Sequence, residues 1–182
     1  MRAALTIFAE KGEAGLVIRS VADRAGITPM AIYRHFKNKQ DLVDSLVLDG
    51  IETWRQRVAD IKPCAPLDWL LAIGDAYLNF ALNEPSRYEA AFLVSSPAAL
   101  KYPDDFIAGE SPAISLLLEL LTSELNLSSR KTQLTPMELV VIFVSLVQGL
   151  VTLYRGGRIA GNEKSFRTLY RRALSNCLDS FR

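Results

Sequence analysis

The chain has 182 residues, 49% of them hydrophobic, enough to bury a real core as one large or two small domains. The single histidine, His35, excludes histidine-based metal clusters and Ser-His-Asp or Cys-His catalysis, and a net charge of only +1 would by itself argue weakly against nucleic acid. The charge is unevenly placed. Residues 1–40 hold seven Lys/Arg against three acids, or +4, which leaves −3 for the rest. A basic head on a mildly acidic body fits a protein that meets nucleic acid at one end.

Residues 2–11 carry Ala4, Leu5 and Phe8 at helical spacing and stop at Gly12, suited to the residue just past a helix C-terminus. The next stretch, IRSVADRAGITPMAIYRHFKNK, reads as two short helices about a tight turn. Ser20–Ala25 forms the first, and Gly26-Ile27 makes the turn. Thr28 caps the second, with Pro29 at its first position, where a missing N–H costs nothing. That helix is expected over Met30–Phe36. Val21, Ile27, Ile32 and Phe36 are expected to share a core, leaving Pro29, Met30, Tyr33, Arg34 and Lys37 outward. An aromatic and cationic face on a short capped helix suits a DNA major groove.

A linking helix is expected from Lys39 to Ile61, with Val43, Leu46, Val47 and Ile51 on its core side, before Pro63 and Pro66. Leu67–Leu82 is a strongly apolar helix around Gly74, a residue that either allows close packing or leaves space for a ligand. Ser86–Leu93 follows as a short helix, and Ser95–Glu110 is expected to be loop. Ser111-Pro112 opens a helix to about Leu125, and residues 126–134 read as polar loop. Thr135-Pro136-Met137-Glu138 has the form of a capping box at the head of a long apolar helix ending at Gly156-Gly157. Its interruption by Ser145, Gln148, Gly149 and Thr152 favours a buried helix over a membrane span. Lys164–Phe181 closes the chain as an amphipathic helix. The expected fold is all-α, with a helix-turn-helix domain at 1–48 and a helical body at 49–182. Cys64 and Cys177 read as free thiols, and with no secretory leader pattern the expected location is the cytoplasm, with no membrane partner.

VADRAGITPMAIYRHFKNKQDLV and the lead-in AALTIFAEKG resemble the DNA-binding core of the tetracycline-repressor (TetR-like) family. The resemblance rests on Ala25, Gly26, Thr28, Tyr33, Phe36, Lys39 and Leu42, and covers residues 1–48. It implies a transcriptional regulator, more often a repressor than an activator, that binds a palindromic double-stranded DNA operator as a homodimer. The positions of Tyr33 and Lys39 would then touch phosphates. His35 is either a cap or a phosphate donor, and Arg34, Met30 and Pro29 lie better for base edges.

In the body, Trp69, Tyr77, Phe80, Tyr88, Phe92, Gln148 and Thr152 mix aromatic and polar groups into apolar helices. Each alone can be core; as a set they can line a mostly apolar effector pocket. The last two helices hold more apolar surface than a small body needs. Phe143, Leu146, Leu150, Phe166, Tyr170, Leu174 and Phe181 are therefore expected in a four-helix dimer interface, in keeping with the family, unless both helices simply close the monomer core. No P-loop, dinucleotide motif, catalytic set or cofactor is indicated. A ligand-independent DNA-binding dimer and a small-molecule-binding or enzymatic helical protein stand as the alternatives.

Overall fold

The computed structural model describes residues 1–62, 66–127 and 134–180, and among these no strand occurs. Ten α-helices follow in order: α1 Arg2–Lys11, α2 Ile18–Ala25, α3 Pro29–Tyr33, α4 Lys39–Ala59 and α5 Pro66–Asn83, then α6 Pro85–Leu93, α7 Asp104–Ile107, α8 Pro112–Leu127, α9 Pro136–Arg155 and α10 Glu163–Ser180. Cys64 and Phe181, and most of the expected loop at 126–134, lie outside the described residues. Where that loop was expected to begin, α8 continues to Leu127.

The chain divides into two compact units. The first holds residues 1–54 together with 83–99, so it extends past the 1–48 expected for the head and includes α6. Its core is built from Ala4, Ile7 and Phe8 of α1, Leu16, then Ile18, Val21 and Ala22 of α2, Ile32 of α3, Leu42, Val43 and Leu46 of α4, and Ala90 of α6. Leu5, expected in the buried stripe, is only partly buried, and Ile7 takes that place. Gly50 permits the α4–α6 crossing, since a Cβ there would meet the Arg87 carbonyl oxygen at 2.6 Å and the Ala91 Cβ at 2.9 Å. Arg87 Nε donates to Asp49 at 2.9 Å across the same crossing, and Ser96, just past α6, donates from Oγ to Asp44 of α4 at 2.6 Å.

The second unit holds 55–82 and 100–182. Its core takes Trp69, Leu70, Ile73, Tyr77, Leu78 and Phe80 from α5, Leu117 and Leu121 from α8, and stripes from α9 and α10. Of the two roles open to Gly74, close packing is the one found: a Cβ there would collide with the buried Leu174 side chain. Within the segment expected to be loop, Asp104–Ile107 winds into α7, held at its start by the Lys101 N–H donating to Asp105 at 2.7 Å. The capping box at α9 forms as its residues require. Thr135 Oγ1 accepts from the Glu138 N–H at 3.3 Å, and the Thr135 N–H donates to Glu138 Oε2 at 2.7 Å.

α9 is the one helix among the described residues long and apolar enough, by length and composition, to cross a membrane. Only 28% of its most apolar window is buried, so the expectation of a buried helix holds for one face alone. Leu139, Val140, Phe143, Val147 and Val151 point into the unit, while Ile142 and Leu153 are exposed.

Candidate nucleic-acid interface

The helix-turn-helix is set by backbone chemistry at its turn. Gly26 adopts a left-handed conformation at φ 69°, ending α2. The Ile27 N–H reaches back to the Ala22 carbonyl at 3.1 Å and the Gly26 N–H to Asp23 at 3.2 Å, the paired closure of a Schellman motif. The left-handed residue swings Ile27 outward, 46% exposed, so Ile27 does not join Val21 and Ile32 in the core as expected. Helical spacing does not carry through a turn that leaves the helix. Leu16, absent from the expected core, is fully buried.

α3 begins as its sequence dictates, with Thr28 Oγ1 accepting from the Ala31 N–H at 3.2 Å and Pro29 in the first turn. It ends at Tyr33 rather than Phe36. The His35 and Phe36 N–H groups still bond to the Ile32 carbonyl, at 2.9 and 3.0 Å. The Lys37 N–H instead donates to Asp41 Oδ2 of α4 at 2.9 Å, which turns the chain out of the helix.

Thr28, Met30, Tyr33, Arg34, His35, Lys37 and Lys39 are all exposed on this stretch, and Pro29 is half-buried. Met30 at 69% and Tyr33 at 53% are large apolar or aromatic groups left in solvent, while Phe36 packs against the core. Not every cation of the head is equally available. Arg24 makes a bidentate pair with Glu10 of α1, at 2.9 and 2.6 Å, which holds the Glu10 carboxyl below its usual range through that hydrogen bond. Arg34, Lys37 and Lys39 are the cations that flank the α3–α4 joint.

Asn38 and Asp41 are participants that the residue-type reading passed over. The Asp41 N–H donates to Asn38 Oδ1 at 2.9 Å while the Asp41 carboxylate takes the Lys37 N–H. An Asn followed three residues later by an acid, at the head of an apolar-periodic run, is the sequence signal for such a helix start.

The residues expected to line one effector pocket fall in different units. Tyr88 and Phe92 belong to the first, with ring centroids 5.6 Å apart and Trp54 edge-on to Phe92 at 6.1 Å. Trp69, Tyr77 and Phe80 are buried along one side of α5 in the second, where Gln148 is half-buried and Thr152 exposed. Of the expected dimer residues, Phe143, Phe166, Tyr170 and Leu174 are buried in their own unit and cannot offer a free face. Phe166 stacks on Tyr154 at 4.0 Å and the Tyr170 hydroxyl donates to Gly74. Leu146 and Leu150 are partly exposed, alongside Ile142 and Leu153, and α10 adds Leu169. The apolar residues needed to close the unit are thus on one side of α9 and the surplus is on the other. Cys177 is a free, half-buried thiol whose burial raises its pKa.

Comparison with known proteins supplies matches over both parts. Residues 1–46 match the family model for bacterial regulatory proteins of the tetR family, and residues 70–176 match a tetracyclin repressor-like C-terminal domain. The HTH-type transcriptional repressor KstR2 of Mycobacterium tuberculosis (strain CDC 1551 / Oshkosh) is 32% identical over 95 residues, 52% of this chain and 40% of that protein. The chain spans less than half the length of the curated relatives it matches. Among solved structures, SCO4313 superposes with a TM-score of 0.72 at 20% identity, over 98% of this chain and 92% of that one. A TetR variant from Acinetobacter baumannii AYE, solved in complex with minocycline, gives 0.62 at 18% identity, over 99% and 92%.

Proposed function

We propose that this chain, which belongs to the tetR family of bacterial regulatory proteins, reads a palindromic operator as a homodimer and releases it on binding a small molecule. The family makes it a DNA-binding transcriptional regulator, as its relatives are, and not an enzyme; repression is the activity named for those relatives. The observation that carries the reading is the exposed, capped α3 bearing Met30 and Tyr33, with Arg34, Lys37 and Lys39 just beyond it. Thr28 Oγ1 already accepts the Ala31 N–H, so its hydroxyl proton is free to donate to a phosphate. Tyr33, His35 and Lys39 join it in positioning the backbone. Arg34 is placed to contact a guanine edge, worth about 1–3 kcal/mol of discrimination, with Pro29 and Met30 against apolar base edges such as a thymine methyl.

The outward stripe Ile142, Leu146, Gly149 and Leu153 recurs every three or four residues along α9, and exposed Leu169 lies on α10. A second copy would cover these apolar groups in a four-helix arrangement. Such a dimer sets two α3 helices about 34–36 Å apart, one turn of DNA. The effector is an apolar or amphipathic small molecule held in the second unit, for which buried Trp69, Tyr77 and Phe80 with half-buried Gln148 offer an aromatic lining and a polar anchor. Binding of minocycline by a TetR of the same fold supports the class of mechanism. The ligand weakens operator binding only by its differential affinity for the two states, transmitted through α4. The site of action is the cytoplasm.

Selection from a pool of random duplexes at two salt concentrations tests this. An enriched palindrome with half-sites one turn apart supports a dimeric operator reader. Binding without enrichment that collapses with salt leaves phosphate contact without readout, and the operator reading falls.

A further inference from the structure

We propose that Asp41, with Asn38, is a positioning residue for DNA: the pair sets the angle at which Arg34 and Lys37, just past α3, and Lys39 of α4 meet phosphates. The proposal rests on the DNA-binding reading above. Between the last helix-type bond of α3, Phe36 N–H to Ile32 at 3.0 Å, and the first residue of α4 lie only Lys37 and Asn38. Both are tied. The Lys37 N–H donates to the Asp41 carboxylate at 2.9 Å, and the Asn38 amide oxygen accepts the Asp41 N–H at 2.9 Å. The Asn38 carbonyl then accepts the Leu42 N–H at 3.3 Å, and Leu42 is fully buried, so the joint is seated on the core. Lys37 and Lys39, the cations on either side of Asn38, take their direction from these bonds.

A carboxylate beside phosphate-binding lysines is an electrostatic cost, since phosphate repels it. Its presence is explained by what it accepts: with Asp41 shortened, the Lys37 N–H must seek water and the two-residue joint is free to rotate. The role therefore belongs to the acceptor oxygen and not to the charge. Asparagine keeps an oxygen at that place without the charge; alanine keeps neither.

The test uses the full chain and a short mixed-sequence duplex at low salt, so it does not depend on knowing the operator. Asp41→Ala is expected to weaken binding at least about fivefold, the size of one lost backbone hydrogen bond, and to flatten the salt dependence by the contribution of a displaced lysine. Asp41→Asn is expected to bind at least as tightly as the parent chain, because it retains the acceptor and sheds the repulsion. Equal tightening in both variants would show Asp41 to be a solvated charge and overturn the proposal. Equal weakening would assign the role to the charge and overturn it as well. If Asp41→Ala loses its helical circular dichroism, Asn38→Ala decides: about fivefold weaker binding supports the joint, and unchanged binding overturns it. Absence of any binding by the parent chain would instead remove the DNA-binding reading itself.

Discussion

The Tyr170 hydroxyl of α10 donates to the main-chain oxygen of Gly74 in α5 at 2.8 Å, inside the second unit. The two helices are close enough there that a Cβ on Gly74 would overlap the end of the buried Leu174 side chain, which would have to shift. Arg171 extends the seam with a bidentate pair to Asp75 at 2.8–3.1 Å, and Arg167 donates to Asn79 at 2.8 Å. Gly74→Ala is expected to destabilise the fold: overpacking costs about 1–3 kcal/mol, against a gain in helix propensity of about 1 kcal/mol. Gly149→Ala, where nothing lies within 4 Å, is expected to stabilise the isolated chain by up to about 1 kcal/mol. Urea denaturation of both variants at low protein concentration reads the difference; a stabilised Gly74→Ala would contradict the packing described.

The start of the recognition helix depends on one hydroxyl. Thr28→Ala removes the cap on the Ala31 N–H and is expected to cost about 1 kcal/mol of local stability. Because α3 has only five residues, fraying at that end should appear first as weaker duplex binding and only secondarily in the melting temperature. Amide hydrogen exchange at Ala31 measures the fraying directly.

Charge reversal at Arg34 and Lys39 together is expected to abolish operator binding at physiological salt while leaving helical content unchanged, since both side chains are exposed. Titration of the variant against the selected duplex gives the answer. Retained affinity would place the DNA contacts elsewhere on the head.

On α9, the two faces should respond oppositely to charge. Leu153→Asp, on the exposed face, is expected to give a folded monomer by sedimentation equilibrium. Val147→Asp, on the buried face, is expected to unfold the second unit, because an unpaired charge would enter the core. A Leu153→Asp protein that still dimerises would move the interface away from that face.

Acid should reach the α9 cap in a defined window. Hydrogen bonds from the Thr135 backbone N–H and then its hydroxyl hold the exposed Glu138 carboxyl below its ordinary 4.5. Its folded-state pKa is thus lower than the unfolded one. The stability it contributes is complete above the unfolded value and is lost as pH falls through the folded one. Between about pH 5 and pH 3 the parent chain is expected to lose more stability than Glu138→Gln, which cannot titrate. Glu10, lowered by its hydrogen bond to Arg24, adds to the same limb and is removed from it by Glu10→Gln. Melting curves across that range, identical for parent and variants, would show that neither contact orders the folded state.

Most of the helix starts and stops written within four or five residues were legible in the chain alone, although the Asn38–Asp41 start of α4 was passed over and α3 ends three residues early. The Thr28-Pro29 start, the turn at Gly26, the stop at Gly12 and the Thr135–Glu138 box all form as read, because each is decided by a residue and its nearest backbone groups. The family resemblance over 1–48 sits on those same local features, and so the reading of the head held at the level of fold and class. Packing settled the rest. Periodicity marks α9 as apolar but does not say which side is turned inward. That choice went to Phe143, Val147 and Val151, and likewise Phe166, Tyr170 and Leu174 of α10 went to the unit's own core. The tie of α6 to α4 rests on Asp49–Arg87 and on the approach of Gly50 to Arg87, contacts between residues dozens of positions apart that leave no periodic trace. Ile27 was misplaced for the converse reason: it is apolar and near the right spacing, but the turn before it reverses the direction in which its side chain leaves the backbone. Local hydrogen bonds are specified by neighbours in sequence; burial is a competition among all apolar faces at once, and only the folded chain resolves it.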